Sequence, residues 1–221
     1  MASTSENQVV EAEQRQARIL LGTTALGVVA TFAGLILQSS GIDPSGDDAE
    51  LLKARVDHFG SILAGSILAG IGYLLLAFTV YFLYSAAMRR SELVRPAFKP
   101  MIFIGAALLA ITGVITAIGY HGAGSDFIDS GLPTSGDAAA ERASDLVGDS
   151  SLLQIGAFTG LAGLAAYSFS IIYSSLWGMR TGLLTRFWGT LGMAFGVAFL
   201  LTFVLQTPIG FFGVLFWVVH V

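Results

Sequence analysis

The chain alternates long apolar runs with short polar gaps. About 20 residues of α-helix cross the hydrocarbon layer of a bilayer, so an apolar run of that length predicts a transmembrane span. The sequence therefore predicts an all-α polytopic transmembrane helix bundle, with residues 1–221 forming a single transmembrane domain. Five full spans are predicted, at Leu20–Gln38, Phe59–Met88, Met101–Tyr120, Leu152–Trp177 and Phe187–Leu205.

A sixth apolar run, Ile209–Val221, follows a predicted helix break at Gln206-Thr207-Pro208. At 1.5 Å rise per residue this run would form a helix only about 20 Å long, which is too short to cross the bilayer. The sixth span is therefore either partial or truncated. We expect the natural chain to continue past Val221.

The polar gaps alternate in charge. Residues 1–18, 89–100 and 178–186 hold most of the Lys and Arg residues, whereas 39–57 and 123–150 hold most of the Asp and Glu residues. Basic residues beside spans are retained on the cytoplasmic side of a membrane. We therefore expect a multi-pass protein of the bacterial plasma membrane with a cytoplasmic N-terminal segment, 1–18, and two outer acidic loops, 39–57 and 123–150.

Composition supports a membrane protein and excludes several other classes. Hydrophobic residues make up 54% of the chain and charged residues 12%, whereas a soluble domain carries roughly 25% charged residues. The chain contains no cysteine, so it has no disulfide, thiolate metal site or cysteine nucleophile. No segment is basic enough to predict binding of nucleic acid.

The two acidic loops and the spans that follow them form a predicted internal repeat. Both copies would cross the membrane in the same direction, which makes this a parallel repeat of loop–helix units. The alternative interpretation is chance similarity in a composition rich in Gly and Ala. The matching positions are Gly65 with Gly156 and Met88-Arg89 with Met179-Arg180 at an offset of 91, and Ser45-Gly46-Asp47 with Ser135-Gly136-Asp137 at an offset of 90.

Each acidic loop also carries the pattern of a short amphipathic helix. Ser45 is a candidate N-cap before an apolar stripe that ends at Phe59, and Ser135 is a candidate N-cap before a helix over 138–147. Ser150 is a candidate cap of the fourth span. We expect these segments to be elbow helices that cover the bundle; a lid or a docking platform is the alternative.

Small residues at four-residue spacing mark where spans would touch. In lipid, such residues allow two helix backbones to approach closely. We expect most of them to pack within the monomer and some to serve an oligomer. The candidate helix-packing positions are Gly65, Ala69, Gly70, Gly156, Gly160, Gly192 and Gly196.

Catalytic chemistry is not indicated. No Asp, Glu, Lys or Arg lies near the middle of a predicted span, where a proton relay or ion-coupling site would need one. The sequence also contains no motif typical of zinc proteases, nucleotide-binding loops or serine hydrolases. We therefore expect no enzymatic activity and no cofactor.

His58 and His121 form the one candidate ligand pair. Both are predicted at outer span ends, with Asp57 and Asp126 nearby in sequence. Two imidazoles with carboxylates are suitable ligands for a divalent metal, and two axial histidines can hold a haem. We expect instead that each is a polar helix end hydrogen-bonded to water, with metal or haem binding as a remote alternative.

The stretch from Met179 to Gly189, Met-Arg-Thr-Gly-Leu-Leu-Thr-Arg-Phe-Trp-Gly, resembles a family of uncharacterised actinobacterial multi-spanning membrane proteins. In that family a similar loop joins the fourth and fifth spans. The resemblance is specific over these eleven residues and general elsewhere. It implies a fold of about six helices and no activity, and members of the family continue into a complete last span.

The sequence is best interpreted as an integral membrane accessory or interaction subunit without catalytic activity. Its expected partners are membrane lipid and other membrane protein subunits, or further copies of itself. The alternative is a small-solute transporter or channel with a neutral polar pathway lined by Thr, Ser and Tyr. The remote alternative is the metal or haem protein that uses His58 and His121.

Overall fold

The computed structural model describes the backbone of residues 2–43, 46–205 and 209–221, and the side chains of residues 18–43, 46–202 and 210–221. Over these ranges the regular structure is helical, with no β-strand. A short 3-10 turn, Pro96–Phe98, precedes the fourth α-helix. The helices are α1 (Ala2–Ser39), α2 (Asp48–Asp57), α3 (Phe59–Arg90), α4 (Lys99–Asp129), α5 (Asp137–Asp149), α6 (Ser151–Arg180), α7 (Arg186–Leu205) and α8 (Ile209–His220).

Among the described residues, four helical segments are long and apolar enough to cross a membrane: Arg18–Ser39, Phe59–Arg90, Pro96–Asp129 and Ser151–Arg180. They coincide with the first four predicted spans. The apolar helices α7 and α8 are shorter, at 20 and 12 residues. The predicted helix break at Gln206-Thr207-Pro208 lies outside the described residues.

Large apolar side chains are exposed along one face of α3. Ile67, Ile71, Leu74 and Phe78 recur at helical spacing, and each is more than a third exposed. Soluble proteins rarely expose a contiguous apolar stripe of this kind, because water contact with it is unfavourable. This face of α3 is therefore suited to contact with lipid.

Short helices occupy both acidic loops, as the sequence predicts. The residue before α2 is Asp47; Ser45 lies outside the described residues. The residue before α5 is Gly136, with a φ of 101°, a backbone conformation that glycine adopts without strain. Ser135 is therefore not the N-cap of α5, and that part of the prediction is wrong. Helix α4 also continues to Asp129, into the predicted loop 123–150.

A single residue separates each short helix from the long helix that follows it. His58 lies between α2 and α3, and Ser150 lies between α5 and α6. The Ser150 hydroxyl accepts a hydrogen bond from the backbone N–H of Leu153 at 3.4 Å, so the predicted cap of the fourth span is confirmed.

The chain divides into two compact units. The first unit comprises Met1–Val29, Leu74–Phe103 and Ala166–Val221, and the second comprises Ala30–Tyr73 and Ile104–Ala165. Eight of the eleven Lys and Arg residues belong to the first unit, and eleven of the fifteen Asp and Glu residues belong to the second. The first unit therefore contains the segments that the charge pattern identifies as basic, and the second unit contains those that it identifies as acidic.

In the second unit, consecutive long helices pack through small residues. Gly34 of α1 lies against Gly65 of α3, and Gly70 of α3 lies against Ala110 of α4. Gly156 of α6 in turn lies against Thr116 of α4. Contacts of this kind bring backbones together where lipid provides no hydrophobic driving force.

In the first unit, α7 and α8 pack closely on each other and on α6. A side chain at Gly192 would meet Ser175 of α6 and Trp217 of α8. The indole N–H of Trp217 donates a hydrogen bond to the backbone oxygen of Trp188 at 2.9 Å. Elsewhere in this unit the hydroxyls of Thr24 and Thr79 are hydrogen-bonded at 2.6 Å, which joins α1 to α3.

Candidate functional site

Helices α2 and α5 pack together over the last two turns of α4 and form what we call the α2–α5 cap. Its core consists of four alanines, one leucine and one phenylalanine. Phe127 is 1% exposed and Leu52 is 2% exposed. Because the cap has its own apolar core, the acidic segments form a packed platform. The core residues are Ala49, Leu52, Ala123, Phe127, Ala139 and Ala143, with Tyr120, Leu146 and Val147 packed against them.

Arg55 and Tyr120 join α2 to α4 within the cap. The guanidinium carbon of Arg55 lies 3.7 Å from the centre of the Tyr120 ring, a cation–π contact. The Nε of Arg55 is buried without a hydrogen-bond partner among the described residues. Both side chains, with Asp48 and Ser144, line a cavity of about 170 Å³. This pair could not be predicted from the sequence, because 65 positions and the whole of α3 separate the two residues.

An acidic row, hereafter the α5 ridge, follows the exposed side of α5. Its members recur at every fourth position, and all are exposed: Asp137, Glu141, Asp145 and Asp149. None of them forms an ion pair with a described side chain. The opposite side of α5 carries Ala139 and Ala143, which are buried in the cap core. The ridge thus has a fixed orientation on the cap.

The structure places the predicted packing glycines of α3 against neighbouring backbones. A Cβ atom at Gly65 would lie 2.6 Å from the backbone oxygen of Gly34, and one at Gly70 would lie 2.8 Å from the Cβ of Ala110. Ala69 is buried, and its backbone nitrogen would lie 2.5 Å from a Cβ placed at Gly34. The partner Gly34 was not among the predicted positions.

The predicted glycines of α6 and α7 lie mainly against side chains. A Cβ atom at Gly156 would lie 2.8 Å from the Thr116 hydroxyl, and one at Gly160 would lie 3.1 Å from the Thr112 methyl group. A Cβ atom at Gly196 would lie 2.6 Å from Cγ1 of Ile172. These positions lie at helix contacts within the chain, as does Gly192 beside Ser175.

The two candidate ligand histidines differ in exposure and in their ring contacts. His58 is exposed at the C-terminal end of α2, and its backbone N–H donates a hydrogen bond to the backbone oxygen of Ala54 at 3.0 Å. The His121 ring is stacked on Phe59, with ring centres 4.1 Å apart, and its Nδ1 is buried without a hydrogen-bond partner in the part of the chain that the structure describes. No group of three or more His, Asp and Glu side chains suited to a metal occurs among the described residues.

The stretch Met179–Gly189 forms a tight connection between α6 and α7. Gly182 has a φ of 72°, the left-handed conformation common after a helix end. The hydroxyl of Thr185 accepts a hydrogen bond from the N–H of Trp188 at 3.4 Å and caps α7. Gly189 lies against the Met179 side chain. Turn and cap chemistry therefore accounts for Gly182 and Thr185 in this stretch.

Comparison with known proteins finds no matching family model, no matching curated protein and no matching solved structure. The resemblance of Met179–Gly189 to the actinobacterial family therefore stays a prediction.

Proposed function

We propose that the protein is an accessory subunit of a membrane complex and that it binds its partner through the α2–α5 cap. The observation that carries this proposal is the α5 ridge, an acidic row that forms no ion pair with any described side chain, on a helix whose other face is fixed in an apolar core. A preorganised charged surface of this kind fits a partner with a basic face, because complementary charge steers association and fixes its orientation.

The energetics of α5 support this proposal. Like charges at i and i+4 on a helix repel each other by about 0.2–0.5 kcal/mol per pair. Asp145 and Asp149 also lie in the last turns of α5, where the helix dipole disfavours negative charge. With no ion pair from the described side chains to offset this repulsion, a cationic partner surface would relieve it.

We also propose that α7 forms a fifth span, that α8 starts a sixth, and that the parallel repeat is genuine. The order of a short helix, one intervening residue and a long helix occurs in α2–α3 and again in α5–α6, which supports the repeat. Helix α7 has 20 residues, the length that a span requires.

The mass of the complex after mild extraction tests the subunit proposal. We expect the protein, 23.2 kDa by itself, to leave its native membrane in a larger hetero-complex. Neutralising three of the four α5 ridge carboxylates, with E141Q, D145N and D149N, should reduce this complex to the single chain. The matched control neutralises three exposed acidic residues outside α5, with D57N, D126N and D129N, and should preserve the complex.

Two results would contradict the subunit proposal. One is extraction of the wild-type protein as a monomer, which would favour the small-solute transporter or channel. The other is equal loss of the complex in the ridge variant and in its control, because net charge and not the ridge would then determine assembly.

Topology gives a separate prediction. The protein contains no cysteine, so single cysteines can be introduced at the exposed positions Ser135 and Glu92. On intact cells, an impermeant thiol reagent should label S135C readily and E92C only after the membrane is permeabilised, because the charge pattern places the basic segments inside. Labelling of E92C alone would invert this topology and move the N-terminus outside.

A further inference from the structure

A groove of about 570 Å³ lies in the first unit between the α3–α4 loop and the C-terminal end of α6. Tyr173, Trp177 and Phe98 supply its aromatic part, and Arg95 and Arg180 supply two cations. Leu93, also in the lining, is 74% exposed. The groove therefore combines positive charge, aromatic rings and an exposed aliphatic side chain at the end of a membrane-length helix.

Two tyrosines hold the loop that forms one wall of the groove. The Tyr84 hydroxyl donates a hydrogen bond to the backbone oxygen of Arg95 at 2.7 Å, and the Tyr173 hydroxyl accepts one from the backbone N–H of Arg95 at 3.0 Å. Phe98 is stacked on Tyr173 with ring centres 4.1 Å apart. The backbone of Arg95 is thus fixed before any ligand binds, which reduces the entropy lost on binding.

Both arginines in the groove are without an acidic partner among the side chains that the structure describes. Neither Arg95 nor Arg180 forms an ion pair with a described side chain, and both are exposed. The guanidinium of Arg180 lies 5.3 Å above the Trp177 ring. Guanidinium groups bind phosphate oxygens with charge-assisted hydrogen bonds. Two of them beside Tyr and Trp, residues typical of the lipid headgroup level, indicate a phosphate ligand at the membrane surface.

We propose that this groove binds the headgroup of an anionic phospholipid. Arg95 and Arg180 bind the phosphate, the Trp177 and Tyr173 rings pack beside the glycerol, and Leu93 contacts the start of an acyl chain. Basic pockets between transmembrane helices are suited to anionic lipid headgroups. The proposal rests on the membrane placement of the helices and not on the subunit function, so either can fail without the other.

Native mass spectrometry of the purified full-length protein in mild detergent tests this site. The protein is titrated with dioleoyl phosphatidylglycerol and, separately, with dioleoyl phosphatidylcholine, which has the same chains and no net charge. Two arginines held beside an anionic headgroup favour the lipid with net negative charge, so phosphatidylglycerol should bind about 30-fold more tightly than phosphatidylcholine. The R95Q/R180Q variant should lose this preference.

The control variant R18Q/R186Q removes the same charge from two exposed arginines outside the groove and should keep the preference. The R95Q change leaves the backbone bonds to Tyr84 and Tyr173 available, and the comparison of the two lipids on the wild-type protein needs no variant. Equal binding of the two lipids to the wild type would overturn the proposal, as would equal losses in the two double variants. Glycerol phosphate binding as tightly as phosphatidylglycerol would indicate a site for a soluble phosphate and would overturn the lipid assignment.

Discussion

Replacing Gly65 by alanine is expected to lower the melting temperature of the protein in detergent markedly. The new Cβ would lie 2.6 Å from the backbone oxygen of Gly34 and 2.9 Å from the backbone nitrogen of Gln38. Backbone atoms cannot rotate away as a side chain does, so α1 and α3 must separate and lose dispersion contacts along their interface. Overpacking of this kind costs about 1–3 kcal/mol, and G65L should cost more.

The matched control for G65A is G60A on the same helix. Gly60 has no heavy atom within 4 Å of an added Cβ, and alanine favours helix over glycine, so the melting temperature should stay equal or rise. G156A should lie between the two, because its Cβ would meet the Thr116 hydroxyl, which belongs to a side chain that can rotate. Thermal unfolding followed by tryptophan fluorescence measures all three variants. If G65A melted like G60A, the close contact of α1 with α3 would be refuted.

The F127A substitution is expected to loosen the α2–α5 cap. Phe127 is 1% exposed at the centre of the cap core, and removal of a buried phenyl ring typically costs 3–5 kcal/mol through lost burial and a residual cavity. The exposed faces of α2 and α5 carry charged side chains, so their surroundings are aqueous and the hydrophobic effect operates fully. The loss of stability should therefore affect the cap before it affects the long helices.

Hydrogen–deuterium exchange measures this local effect. Peptides covering Asp48–Asp57 and Asp137–Asp149 should exchange faster in F127A, whereas peptides from the middle of α3 and α6 should change little. The neighbouring residue Ile128 is 44% exposed, so I128A provides the control and should leave exchange in the cap unchanged. Equal exchange in the two variants would show that Phe127 does not hold the cap together.

The helices could be predicted from the sequence because each depends on local composition. Apolar length identified the four membrane-length segments, and the amphipathic pattern identified α2 and α5. The boundaries were less accurate: α4 runs to Asp129 inside a predicted loop, because a helix that continues beyond a span has no continuous apolar run to mark it. The N-cap of α5 is Gly136 and not Ser135. The sequence could not distinguish these neighbours, because serine and glycine are both favoured at N-cap positions.

The candidate sites were predicted only in part. Small-residue spacing selected Gly65, but nothing in the sequence paired it with Gly34. The acidic character of 123–150 was evident, whereas its division into an exposed ridge and a buried alanine face became clear only with the partner α2 in place. The groove at Arg95 and Arg180 was not predicted, because basic residues beside spans are expected from topology alone.

The sequence by itself determined the helical class, the membrane-length segments and the segregation of charge, because hydrophobicity, length and the sign of a side chain are properties of each segment alone. Only the tertiary structure decided which residues meet: Gly34 with Gly65, Arg55 with Tyr120, and Tyr173 with the backbone of Arg95. Those pairings depend on how each helix is rotated about its axis and on its register against its neighbours. Rotation and register follow from the sum of many weak packing contacts, which no local pattern encodes.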